Sequence, residues 1–202
     1  MSLTISYRGN LRDPNELDIF LGDVFDLCME IGWNYIPVHR SSVMPAKGIM
    51  ITPQGCETIV LTFLANGKIY NPFHFIYTEH PEKEIVNEEK HQWIHVKTRY
   101  AGVDTHVAII KFFRYLSTKY FEAFEIHDPS GYWETDNVAV CFNQFGEFSN
   151  PHEILGGSME DDDDDDDEED EEDEDEEDDP ESVSSRMDEA LMRRGELGVG
   201  LN

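Results

Sequence analysis

Leu3, Ile5 and Tyr7 alternate with Thr4, Ser6 and Arg8 until Gly9-Asn10, the period of a half-buried strand stopped by turn residues. The period then changes. Leu17, Phe20, Leu21, Val24, Cys28 and Ile31 recur at spacings of three and four, with Glu16, Asp23 and Glu30 on another face, which predicts an amphipathic helix. Asp13 suits its N-cap, Pro14 its first position and Glu16 a capping box, while Gly32 supplies the C-terminal cap. From Trp33 to Tyr100 the pattern is strand-like over Trp33–Tyr35, Gly48–Thr52, Glu57–Leu64, Lys68–Tyr70, Phe73–Thr78 and Gln92–Tyr100. Asn66-Gly67 predicts a type I′ hairpin and therefore antiparallel pairing.

The polar stretch Glu79–Lys90 reads as an exposed loop. A second helix is predicted over Asp104–Tyr120 with Asp104 as its N-cap. Val107, Ile109, Ile110, Phe112, Phe113, Leu116 and Tyr120 leave only a narrow polar stripe of Lys111, Arg114 and Thr118, so most of this helix is expected against the sheet. Phe124-Glu125-Ile126 reads as a last strand, Asp128-Pro129-Ser130-Gly131 as a turn, and residues 132–157 carry little pattern. The order of elements predicts an α+β domain over residues 1–157, an antiparallel or mixed β-sheet covered on one face by two α-helices. Gly156-Gly157-Ser158 marks its boundary.

Charge adds a second region. The 202-residue chain has 44 Asp and Glu against 15 Lys and Arg, a formal net charge of −29. Glu160 to Asp179 are twenty consecutive acids and Glu181 adds another, so residues 158–181 are predicted to be a disordered polyacidic tail, because like charges repel and nothing apolar is available to bury. Residues 182–202 place Met187, Leu191 and Met192 on one face of a short helical pattern. Alone, that segment is too short to be stably helical in water, and it reads as a frayed end unless a partner folds it. The remainder of the chain is only mildly acidic. The balance excludes a basic nucleic-acid module, and direct nucleic-acid binding is not expected. No apolar run spans a bilayer and no signal peptide opens the chain. Cys28, Cys56 and Cys141 are unpaired by spacing, so reduced thiols and a cytoplasmic location are expected.

Candidate chemistry is sparse. On Trp93–Tyr100, His95, Lys97 and Arg99 alternate with Ile94, Val96 and Tyr100, and Gly102 follows at the start of the second helix. These four residues form a candidate anion site for a phosphate or carboxylate. The competing explanation is a solvated strand face paired with acids on a neighbour. Gly55-Cys56-Glu57 offers Cys56 as a nucleophile with His106 as base, and Tyr132-Trp133-Glu134 offers Glu134 as a general acid or base. Against these stand a half-buried structural cysteine and aromatics closing a core edge. His91 and His95 on a strand would lie about 13 Å apart, too far to share an ion, and no metal site or cofactor is predicted. Common phosphate, dinucleotide and hydrolase motifs are absent.

Gly48-Ile49-Met50-Ile51-Thr52 with Gly55-Cys56-Glu57, the run Val96–Gly102 leading to His106, and Gly131-Tyr132-Trp133-Glu134-Thr135 together resemble a family of small, soluble bacterial proteins without an assigned activity. The resemblance spans residues 3–137 and implies a cytoplasmic α+β domain with no cofactor and no catalytic residues to transfer. The acidic tail lies outside it. The functional expectation is a non-enzymatic interaction protein, its folded domain binding a protein or an anionic small ligand and its tail engaging basic protein surfaces. One alternative is a small hydrolase or transferase using Cys56 or Glu57 with His106 and Glu134. A second is an acidic nucleic-acid mimic.

Overall fold

A computed structural model describes residues 3–41, 44–73, 93–149 and 182–195. The predicted Glu79–Lys90 loop, nearly all of the Phe73–Thr78 strand, His91, the 156–158 boundary and the acidic run lie outside the described residues. The opening alternation forms β1 (Thr4–Leu11), with Ile5 and Tyr7 fully buried and Thr4, Ser6 and Arg8 half-buried on the other face. Asp13 caps a 3₁₀ turn, Pro14–Glu16, by accepting the Asn15 N–H at 2.8 Å. That turn leads into α1 (Leu17–Ile31), which buries Leu17, Phe20, Val24, Leu27, Cys28 and Ile31. Gly32, at φ +76°, ends it and donates its N–H to the Cys28 carbonyl, a conformation costly for any residue with a Cβ.

Two antiparallel three-stranded sheets follow. One has the order β2 (Asn34–Val38), β3 (Lys47–Thr52), β4 (Ile59–Phe63), and the other the order β5 (Ile94–Lys97), β1, β6 (Phe121–His127). The Asn66-Gly67 turn is present, but only Gly67 takes positive φ, +83°. The Gly67 N–H reaches the Leu64 carbonyl, and the Leu64 N–H reaches the Lys68 carbonyl, both at 3.0 Å. This is a type I turn closed by glycine, not the predicted type I′ turn. After it, Lys68 and Ile69 bridge to Asn10 and Phe63 respectively, tying one sheet to the other.

Tyr7 makes the second tie. Its ring is buried in the core, and its hydroxyl donates to the Val60 carbonyl at 2.9 Å while accepting the Val60 N–H at 2.8 Å. One side chain of β1 thus replaces a missing strand neighbour on the open edge of β4. Burial pushes this hydroxyl above the usual tyrosine range.

The second predicted helix is α2 (Gly102–Tyr120), and its apolar positions from Val107 to Leu116 are buried as the pattern requires. It begins two residues earlier than expected, with Ala101 in place of Asp104 at the N-cap. The weakly patterned stretch contains α3 (Tyr132–Thr135) and α4 (Val138–Ser149), the latter packed on α2. The class is therefore α+β, with more helix than the two elements expected.

The largest departure is α5 (Val183–Arg193). It is not a frayed end: it packs on α1 and α2 and adds Met187, Ala190 and Leu191 to the same core. Ser182 caps it through the Ser185 N–H. Asp104, expected to cap its own helix, instead accepts the N–H groups of Val183 at 2.7 Å and Ser184 at 3.1 Å. A helix marginal in isolation is stabilised by tertiary burial and a borrowed carboxylate.

Tyr7→Phe keeps the ring but leaves the Val60 N–H and carbonyl unpaired in the core. It is expected to cost about 3 kcal/mol of stability in urea denaturation. A loss below about 1 kcal/mol would show that the hydroxyl does not hold the two sheets together.

Candidate functional site

The cationic strand row is real in position but not in convergence. His95 and Lys97 lie exposed on β5, opposite Ser6 and Thr4 of β1. His95 Nδ1 lies 2.8 Å from Ser6 Oγ. Lys97 Nζ pairs with Glu57 at 3.2 Å, and the same carboxylate accepts the Lys97 N–H at 3.0 Å. Arg99 sits in the turn beyond the strand, its guanidinium 5.7 Å from the Tyr100 ring centroid. Gly102 opens α2, whose first turn carries Asp104. Of these cations Lys97 is answered by an acid, Glu57, while His95 meets a serine hydroxyl and Arg99 an aromatic ring.

Cys56 and Glu57 meet at the Lys97 backbone, but no hydrogen bond joins either of them to His106 or Glu134. The Cys56 thiol donates to the Lys97 carbonyl at 3.3 Å, and burial raises it to about 12, far from the thiolate that a nucleophile requires. Glu57 is occupied by Lys97. Glu134 is exposed on α3. His106 is fully buried on α2, with Nδ1 2.8 Å from Thr98 Oγ1 and Nε2 close to Asp128 Oδ1 and Ser130 Oγ at 3.1 and 2.9 Å.

That last cluster was not anticipated. Ser, His and Asp meet, but not as a proton relay. In a hydrolytic triad the carboxylate and the hydroxyl occupy opposite ring nitrogens, whereas here both meet Nε2 and a threonine holds the other nitrogen. Ser130 Oγ donates instead to Asp128 Oδ2 at 2.8 Å, and Asp128 also accepts the Ser130 and Trp133 N–H groups at 2.9 and 3.0 Å. Burial alone would raise this carboxyl. The bonds and charge of His106, with Trp133 and Ser130, outweigh it and hold Asp128 at about 2. The cluster fastens the 128–131 turn to α2 and so positions α3. The only sequence signal was the Asp-Pro-Ser-Gly turn, which did not reveal its distant histidine.

The face where α5 docks carries the other dense polar network. Asp23 on α1 accepts from Tyr115, from Tyr120 at 2.8 Å, and from Lys119 and Arg194 at 3.1 Å. Burial opposes its charge, but these donors hold its carboxyl below the usual range. Arg194 also reaches both oxygens of Glu30 at 3.1 and 2.8 Å. A neighbouring cleft of about 450 Å³, between α2, α3 and α5, is lined by Lys111, Arg114, Asp136 and Asp188. Its charges are internally paired, Lys111 with Asp188 at 2.6 Å and Arg114 with Asp136. Among the described residues no cluster of three metal-type ligands occurs, and no helix is long and apolar enough to cross a membrane.

No known family model, no curated protein and no solved structure matches the chain.

Asp128→Asn is expected to destabilise the fold by about 3 kcal/mol near neutral pH, because it replaces a buried carboxylate that accepts hydrogen bonds from Ser130 and Trp133 and meets His106. The carboxyl lies lower folded, at about 2, than unfolded, at about 3.9. Its contribution is therefore complete above the unfolded value and is lost as pH falls through the folded one. Chemical denaturation of both proteins at pH values from about 5 down to about 2 should show the difference between them narrowing. A difference independent of pH would overturn the assignment.

Proposed function

We propose that this is a non-enzymatic interaction protein whose polyacidic segment engages basic surfaces on partner proteins, with the folded domain as its platform. The observation that supports this is the docking of α5. The twenty acids from Glu160 to Asp179 do not trail from the end of a domain. They connect α4 to α5, and both of those helices pack on α2. A dense anion whose two flanking helices are both docked suits capture of a cationic partner, because fewer chain conformations are lost on binding than from a free tail. The commitment of Cys56 and Glu57 to Lys97 and of His106 to Thr98, Asp128 and Ser130 favours binding over catalysis. All three cysteines are free, in keeping with a reducing, cytoplasmic setting.

The test keeps α5 and replaces residues 160–179 by a Gly/Ser sequence of equal length. The intact protein should bind an oligolysine peptide at low salt and release it near 0.5 M salt, where screening shortens to roughly 4 Å. The replaced variant should bind at least about tenfold more weakly. Equal binding by the two proteins, or binding insensitive to salt, would refute the proposal.

A further inference from the structure

Arg186 is an anomaly in so acidic a chain. On the same helix Arg193 meets Glu189, and Arg194 just beyond it meets Asp23 and Glu30. Arg186 has no such partner among the described residues, and its Nε is buried with no hydrogen-bond acceptor. The Nε itself is closed to any outside acceptor, and a buried donor left unpaired costs about 1 to 3 kcal/mol, more when charged. An acceptor supplied from outside would meet the terminal Nη groups of the same guanidinium, which lines the open cleft.

The guanidinium lines a cleft of about 340 Å³ between the end of α1, the β3–β4 loop, α2 and the start of α5. Trp33, Asn34, Gln54, Cys56 and Thr105 also line it, and its lining contains no carboxylate and no second cation. One end of the guanidinium lies beside the C-terminal glycine of α1, Nη1 being 3.5 Å from where a Cβ on Gly32 would stand. The negative end of the α1 dipole attracts the cation there but gives Nε–H no acceptor. Asn34, Gln54 and Thr105 bring neutral side chains able to donate hydrogen bonds, and Trp33 provides an apolar wall.

We propose that this cleft is a binding site for a small monocarboxylate, with Arg186 as its anchoring residue. A guanidinium presents parallel N–H donors that match the two oxygens of a carboxylate. A single positive charge among neutral groups balances one negative charge, whereas a phosphate dianion would leave one uncompensated. The volume suits a small organic acid. Nothing in this site draws on the acidic segment, so it stands or falls separately from the partner binding proposed above.

The test uses the full-length ¹⁵N-labelled protein at constant ionic strength, titrated with propionate, with inorganic phosphate, or with chloride. The Arg186 Nε–H resonance should shift saturably with propionate, less with phosphate and not with chloride. Arg186→Lys keeps the charge but loses the planar fork, and should weaken propionate binding at least about tenfold. Arg186→Gln should abolish it. The variant lacking the 160–179 acids should respond as the intact protein does. Absence of a saturable shift in the intact protein, or unchanged affinity in Arg186→Lys, would overturn the site. Tighter binding of phosphate than of propionate would overturn the monocarboxylate assignment. Should Arg186→Gln undock α5, the intact protein and Arg186→Lys still decide the matter.

Discussion

The two sheets of this fold meet through a phenol. Where β4 lacks a neighbour on one edge, the Tyr7 hydroxyl supplies both a donor and an acceptor to Val60. A buried strand edge with unpaired backbone groups is costly, and only a group that donates and accepts at one point can satisfy both. Phe113 and Phe124 pack around the same ring, so one residue of β1 joins the aromatic core beneath α2 to the backbone of the second sheet. The short bridges at Lys68 and Ile69 complete the seam.

Much of the architecture was legible because it is local. Gly32 closes α1 as its backbone preference demands, Asp13 caps the 3₁₀ turn that precedes α1 although Glu16 makes no capping-box bond, and the apolar spacing of α2 maps directly onto its buried face. The polar knots were not legible, because their partners are distant in sequence. Asp104 was read as capping the helix that follows it, yet it caps a helix about eighty residues later. His106 was considered as a base for Cys56, yet both its ring nitrogens are committed to Thr98, Asp128 and Ser130. Residue type and spacing indicate what a carboxylate or imidazole is able to do, but only the topology decides which donor arrives.

The same limit applies to α5. Its short apolar stripe was visible, but isolated-helix energetics predict fraying, and nothing local announces that Asp104, Asp23 and Glu30 stand ready to receive Val183, Ser184 and Arg194. Two of these acids, Asp23 and Glu30, were assigned simply to the outer face of α1. In the fold they form the receptor for the last described element of the chain. Arg186 then stands out because the surrounding cations are so completely matched.

The connection from α4 to α5 has a thermodynamic consequence. The acids between these helices repel one another, and the helix on their far side is held by a limited set of apolar and ionic contacts. Self-repulsion therefore opposes the docking of α5, whereas any polycation that neutralises the acids relieves that opposition. If a basic partner binds the acids as proposed, binding and folding are linked functions: the partner would strengthen the attachment of a helix it need never touch, and firmer attachment of that helix would favour the partner in return.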